Sequence, residues 1–233
     1  MSKLYLIPSD IGSDPRKVIP EATLEQISKI GVYVVENVRS ARRFLSAAGL
    51  RGKIGGLEFH ELNEHSTPSD VEALLPLFGK GDVGLVTEAG LPAVADPGAP
   101  FVALCHARGI PVVPLVGPSS LMLALMASGL NGQEFAFVGY LPAKTEERRA
   151  AIRKIEKDSA SRGRTQIFIE TPYRNDALLE DLAAGLSPGT MLCIAADLTL
   201  ETETVITLPV SGWRRKKDFK IGKRPCVFLI LAK

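Results

Sequence analysis

The sequence predicts an α/β protein in two halves. A mostly parallel five-stranded sheet is expected over about residues 1–115 and a mixed sheet over 116–233. Three observations carry this. Short runs of branched apolar residues recur through the first half, each followed by a helical pattern, which is the signature of a parallel sheet covered on both faces. The last three such runs come close together with little helix between them, which favours antiparallel pairing. The length of 233 residues, 45% hydrophobic and 23% charged, suits two domains of roughly 100–150 residues or one larger one.

The first-half strands are expected at Leu4–Ile7, Val32–Val35, Leu57–His60, Val83–Thr87 and Val112–Leu115. The intervening helices are expected at Thr23–Ile30, Arg39–Ala48, Pro68–Phe78 and Ala99–Ala107. Thr67 followed by Asp70 resembles an N-terminal cap, and Gly49 and Gly109 read as C-terminal stops. In the second half, strands are expected at Glu134–Leu141, Thr165–Glu170, Met191–Ala196, Glu203–Pro209 and Pro225–Ala232. Helices are expected at Thr145–Ala160 and Arg174–Gly185. No internal repeat or low-complexity tract interrupts this order.

Between Arg108 and Glu134 no residue is charged, which by length alone would suit a membrane span. Pro111, Pro114, Gly117 and Pro118 break the stretch, so it reads instead as a buried strand at Val112–Val116 and a buried helix at Leu121–Ala127. The N-terminus shows no cleavable signal pattern, so a cytoplasmic chain without membrane attachment is expected. Cys105, Cys193 and Cys226 are far apart and odd in number, and no Cys/His cluster accompanies them. Reduced core thiols are expected and a metal site is not. The net charge of +2 does not by itself announce a polyanionic partner.

The densest motif is Val86-Thr87-Glu88-Ala89-Gly90-Leu91-Pro92-Ala93-Val94-Ala95-Asp96-Pro97-Gly98, between a strand and a helix. Ligands of open α/β sheets bind at such carboxyl ends. Gly90 admits close backbone approach, and the prolines stiffen the turn. The same residues equally fit a rigid structural loop with Asp96 as a helix cap. Val116-Gly117-Pro118-Ser119-Ser120 is a second strand-to-helix junction, open to ligand binding or simple capping. Ile169-Glu170-Thr171-Pro172-Tyr173-Arg174 and Gly139-Tyr140-Leu141-Pro142 are two further candidates. Pro8-Ser9-Asp10-Ile11-Gly12-Ser13 follows the first strand without the GxGxxG spacing of a dinucleotide site. No GxSxG elbow or HExxH is present.

These motifs occur in an order that resembles the tetrapyrrole methylase superfamily of class III methyltransferases. AGLPAVADPG, VGPSS, GYLPAK and ETPYR are the most specific, and the resemblance is greatest to the ribosomal RNA small-subunit methyltransferase I branch. It implies two α/β domains with an S-adenosylmethionine cleft between them and a homodimer. It also implies ribose 2′-O-methylation of a 16S rRNA cytidine. Carried over by position, Pro8, Ala89, Gly90, Leu91, Val94, Ser119, Ser120, Glu170, Leu198 and Pro225 are the cofactor-binding candidates. The chain departs from the family's pattern at Asn37-Val38-Arg39-Ser40, at Ala196-Asp197-Leu198-Thr199-Leu200 and at Ser9-Asp10-Ile11-Gly12-Ser13. It ends after the second expected domain, without the small C-terminal extension of that branch. Methylation of a small molecule such as a tetrapyrrole precursor therefore stays open, as does a non-catalytic SAM- or RNA-binding homologue.

Methyl transfer from a sulfonium is an in-line displacement, and a ribose hydroxyl acceptor needs help losing its proton. Glu36, Arg39, His60 and Glu64 are the catalytic candidates, although each taken singly reads more readily as an ordinary charge, cap or sheet-edge residue. Trp213–Arg224 carries seven Lys/Arg and one Asp, a local +6 on a chain otherwise near −4. It reads as a phosphate-contacting patch or as a solvated loop before the last strand.

Overall fold

A computed structural model describes residues Met1–Lys233, which fall into two compact units, Met1–Ser119 and Ser120–Lys233. The first holds a five-stranded sheet of β1 (Leu4–Ile7), β2 (Val32–Val35), β3 (Glu58–Glu61), β4 (Val83–Val86) and β5 (Val112–Pro114). Their order is β3-β2-β4-β1-β5, and every pairing is parallel. Alternation assigns the two faces: Tyr5, Ile7, Tyr33 and Val35 join one buried cluster, while Leu4, Val32, Val34 and Leu85 join another.

The helices are α1 (Pro15–Val18), α2 (Glu21–Ile27), α3 (Val38–Leu45), α4 (Pro68–Glu72) and α5 (Ala99–Ala107). Thr67 closes a capping box on α4: its hydroxyl accepts from Asp70 N–H at 3.3 Å, and the Asp70 carboxylate accepts from Thr67 N–H at 2.8 Å. Gly109 ends α5 in a Schellman arrangement, with Gly109 N–H to His106 O at 3.1 Å and Ile110 N–H to Cys105 O at 2.9 Å.

Two expectations need correction, and one short helix is unexpected. The helix expected over Pro68–Phe78 stops at Glu72 and gives way to a 3₁₀ turn at Leu75–Gly79, because Pro76 has no N–H to continue the ladder. The helix expected to end at Gly49 becomes irregular earlier: α3 stops at Leu45, and Gly49, at φ +115°, sits inside a wide turn over Ser46–Leu50. The short α1, capped by the Asp14 side chain on Arg16 N–H, is too brief for periodicity to reveal.

The second unit contains α6 (Ser120–Ser128), β6 (Phe135–Tyr140), α7 (Thr145–Arg162), β7 (Thr165–Ile169), α8 (Asn175–Gly185), β8 (Met191–Ala196), β9 (Thr204–Pro209), α9 (Val210–Trp213) and β10 (Cys226–Leu231). Its sheet runs β6-β7-β10-β8-β9. β6 and β7 are parallel and the other pairings antiparallel, so the sheet is mixed. Phe168, Leu192, Ile194 and Phe228 face Ile152 of α7 and Leu178 and Leu182 of α8, and the Phe168 and Phe228 rings stack at 5.7 Å. The alternate residues Ile167, Cys193, Ala195 and Leu229 are also buried, and α6 packs on β8, β9 and β10. All three cysteines are buried and free of disulfides. No helix is long and apolar enough to cross a membrane, and the uncharged stretch resolves into β5 and α6.

Candidate functional site

The parallel register brings Ile7, Val35 and Val86 to one level, so the turns after β1, β2 and β4 emerge at one rim of the first sheet. That rim carries Pro8, Glu36 and the loop Thr87–Gly98. Ser9, almost fully buried, stitches the loop down: its N–H donates to Gly90 O at 2.8 Å and its hydroxyl to Thr87 O at 2.6 Å. Gly90 adopts φ +76°, left-handed backbone that disfavours any side chain. A β-carbon there would stand 3.7 Å from Ile11 Cγ2 and 3.9 Å from Pro118 O, so Ile11 and Pro118 wall the space its absence leaves. At Gly117 a β-carbon would overlap the Pro8 ring, so this glycine is required by packing. Ala93 and Ala95 hold φ +63° and +62°, a cost non-glycine residues bear only where the surroundings dictate it.

Asp96 does not cap α5. The cap position is Gly98, and the Asp96 carboxylate instead accepts the Thr87 hydroxyl across the loop. Burial, and then the neighbouring Glu88, push Asp96 up from the ordinary carboxylate range against the Thr87 hydrogen bond. Glu36 is raised too, by burial first and then by Asp96, Glu88 and Glu64. Glu88 is held by the Ser40 hydroxyl at 2.8 Å, and Asn37 caps α3 on Arg39 N–H and Ser40 N–H. The rim is thus acidic, with the Glu88 and Asp96 carboxylates held by the Ser40 and Thr87 hydroxyls.

Of the catalytic candidates, Glu36 and Glu64 are brought close enough to influence each other. Arg39 projects from the first turn of α3 into solvent. Glu64 is exposed and lies 3.7 Å from His65. His60 is engaged elsewhere: its Nε2 lies 2.8 Å from Glu58 Oε1, which also takes Lys80 Nζ at 2.6 Å. Among the cofactor candidates on this unit, Pro8 and Gly90 are buried, Leu91 and Ser119 half-buried, and Ala89 and Val94 exposed. Sequence reasoning misses Ser9, Thr87 and Ser40 as partners, because their roles rest on residues distant along the chain.

On the second unit, antiparallel pairing of Cys226 with Ala196 and of Val227 with Ile169 gathers Glu170, Leu198 and Pro225 at one end of the sheet. Asp197 N–H donates to Pro225 O at 3.0 Å, fixing two of these turns to each other. Glu170 is buried; its Oε1 accepts from Thr171 N–H at 2.7 Å and from Arg174 Nη2 at 2.6 Å, while its Oε2 has no partner. Ser120, half-buried, opens α6. Arg214 of the basic segment donates to Ala183 O and Leu186 O at 2.7 and 2.9 Å, so this cation serves the end of α8 rather than an open patch.

The family model for the tetrapyrrole (corrin/porphyrin) methylases matches residues 22–212. The chain belongs to the tetrapyrrole methylase family. It is a methyltransferase of that family. The ribosomal RNA small subunit methyltransferase I of Escherichia coli O157:H7 is 34% identical over 209 residues, covering 89% of this chain and 69% of that protein. The protein of the same name from Micromonospora olivasterospora is 36% identical over 201 residues, covering 86% of this chain and 60% of its own length. Among solved structures, the methyltransferase CobJ superposes with a TM-score of 0.66 at 14% identity, covering 100% of this chain and 95% of its own. Uroporphyrin-III C-methyltransferase from Thermus thermophilus, complexed with S-adenosyl homocysteine, gives a TM-score of 0.59 at 16% identity, covering 99% and 97%. These two likenesses speak for the fold.

Proposed function

We propose that this methylase takes its methyl group from S-adenosylmethionine and transfers it to small-subunit ribosomal RNA, at the ribose 2′-oxygen of a cytidine. The observation that carries the RNA assignment is the similarity to the Escherichia coli enzyme, which runs through 89% of the chain at 34% identity. The tetrapyrrole enzymes share the fold at 14% and 16% identity.

S-adenosylmethionine supplies an electrophilic methyl on a sulfonium cation. The residues proposed to hold it are Pro8, Ala89, Gly90, Leu91, Val94 and Ser119 in the first unit, and Ser120, Glu170, Leu198 and Pro225 in the second. Two features fit such a group: the space walled by Ile11 and Pro118 beside the bare Gly90 backbone, and the unpartnered buried Oε2 of Glu170. The carboxylates of Glu36 and Glu88 beside the loop complement a cation. Glu36 is the candidate best suited to take the proton of the acceptor hydroxyl, because burial and its acidic neighbours raise its proton affinity. Arg39 and Glu64 border the same rim and are proposed to position the acceptor, with His60 held away by Glu58. The reading includes a homodimer acting in the cytoplasm.

Mass spectrometry of nucleosides from 16S rRNA tests this reading. A strain lacking the protein should lose one 2′-O-methylcytidine, restored by the wild-type gene. An unchanged nucleoside profile with loss of a methylated tetrapyrrole instead would overturn it.

A further inference from the structure

The basic segment after α9 lies as a strap along α8, running in the opposite direction. Arg214 satisfies carbonyls at the C-terminal end of the helix. Further along, Lys220 Nζ lies 3.3 Å from Glu180 Oε1. At the other end Ile221 N–H donates to Asp176 Oδ1 at 2.8 Å, and Asn175 Nδ2 donates to Gly222 O at 3.1 Å and Arg224 O at 2.8 Å. Arg224 is turned inward, with Nε on Ile221 O at 2.7 Å and Nη1 3.7 Å from Asp197. These bonds fix the strap and engage three of its cations, together with both α8 carboxylates beside it.

Four cations remain. Arg215, Lys216 and Lys217 are exposed and have no carboxylate within ion-pair distance. At the far end Lys223 Nζ stands 5.0 Å from the centroid of the Tyr173 ring, and Tyr173 is 80% exposed. Beside the first group a groove is lined by the apolar Leu179, Ala183 and Phe219, by Lys216 and Lys217, and by Asp176 and Glu180, the two carboxylates already bonded to the strap. At 1.5 Å per residue the 11-residue α8 spans roughly 16 Å, so the Arg215–Lys217 group and the Lys223–Tyr173 pair stand at the two ends of a track of about that length.

Cations without a carboxylate partner at both ends of the strap, apolar groove residues and an exposed aromatic ring together match one ligand chemistry: a flexible polyanion that carries flat rings. An acidic protein segment offers the charge, but only a nucleic acid carries a flat ring on every charged unit. We propose that the strap along α8, with Tyr173 at its end, is a track for a single-stranded segment of the substrate RNA. Arg215, Lys216, Lys217 and Lys223 meet its phosphates, and a base stacks on Tyr173. This rests on the RNA reading of the function.

The test is fluorescence anisotropy with a labelled oligouridylate of about a dozen nucleotides, near the upper end of known single-strand site sizes, titrated with the full chain over a series of salt concentrations. The Arg215→Ala/Lys216→Ala/Lys217→Ala variant should flatten the log–log salt dependence by about 2, at about 0.7 for each single-strand phosphate no longer neutralised. Tyr173→Ala should weaken binding about tenfold at every salt concentration with little change of slope, and Tyr173→Phe should restore it. Affinity for S-adenosylmethionine and the thermal melt should be those of the parent. An unchanged slope in the triple variant, or displacement of RNA by polyglutamate as readily as by unlabelled RNA, overturns the track. The same variants separate this failure from that of the function: rRNA methylation at wild-type KM discards the track and keeps the RNA reading. Methylation confined to a tetrapyrrole discards the RNA reading.

Discussion

Gly90 concentrates two constraints at one residue. Its φ of +76° disfavours a side chain even though the space around a β-carbon is not closed, with Ile11 at 3.7 Å. A valine there would combine backbone strain with any steric block, so alanine is the cleaner probe. Gly90→Ala should cost about 1–2 kcal/mol of stability from the left-handed backbone. It should also cut S-adenosylmethionine affinity at least tenfold by calorimetry, whereas unchanged affinity in a folded variant would remove the loop from the donor site. Glu36 makes a prediction in pH. Its carboxyl is raised in the folded state, so the fold holds its proton more tightly than the unfolded chain does. That contribution to stability is complete below the ordinary carboxylate value and fades as pH rises through the raised one. Glu36→Gln removes this dependence, so its melting temperature relative to wild type should climb as pH rises above the ordinary carboxylate value. A constant offset would show that Glu36 is not raised. If Glu36 also takes the acceptor's proton, the glutamine variant loses kcat far more than donor affinity, to which its charge adds beside that of Glu88.

At the scale of elements, the pairing of α7 with α8 turns on a buried ion pair. Arg148 and Asp181 have side chains only 7% and 8% exposed and meet at 2.6 Å, with Arg149 adding a bond at 3.0 Å. Burial alone would raise Asp181, but the hydrogen bonds from Arg148 and Arg149 outweigh it and hold the carboxyl below its usual value. Asp181→Ala leaves a guanidinium buried without its anion and should cost about 3–5 kcal/mol in urea unfolding, while replacing both partners by apolar residues should recover most of it. A cost below about 1 kcal/mol would place the stability of this helix pair elsewhere. Elements such as these are legible in the sequence to different depths. The strands stand out because Val32–Val35 and Val83–Val86 are buried on both faces, and α7 stands out through its length. Pro76 marks its own break, but the 3₁₀ turn around it depends on packing that local pattern does not encode. The loop Thr87–Gly98 is legible as a motif. Its internal wiring is not, since the bonds from Ser9 to Thr87 and Gly90 span about eighty residues, and the Asp96 bond to Thr87 belongs to the folded loop rather than to any local cap pattern.

At the scale of the whole molecule, the two units divide the tasks proposed here. The first presents an acidic rim with a glycine-built loop, and the second presents Glu170 and the basic strap. A homodimer predicts a light-scattering mass of twice the 25.0 kDa chain at micromolar concentration, and a particle of single-chain mass would count against it. The central claim is transfer of a methyl group from S-adenosylmethionine to small-subunit rRNA, and one measurement meets it directly. Purified protein is incubated with methyl-labelled donor and 16S rRNA, free or in small subunits, taken from cells that lack the modification. The account predicts label on one ribose of one cytidine, approaching one methyl per RNA, and strong reduction with Gly90→Ala. No label in RNA, with label entering a uroporphyrinogen-type acceptor under the same conditions, would contradict it.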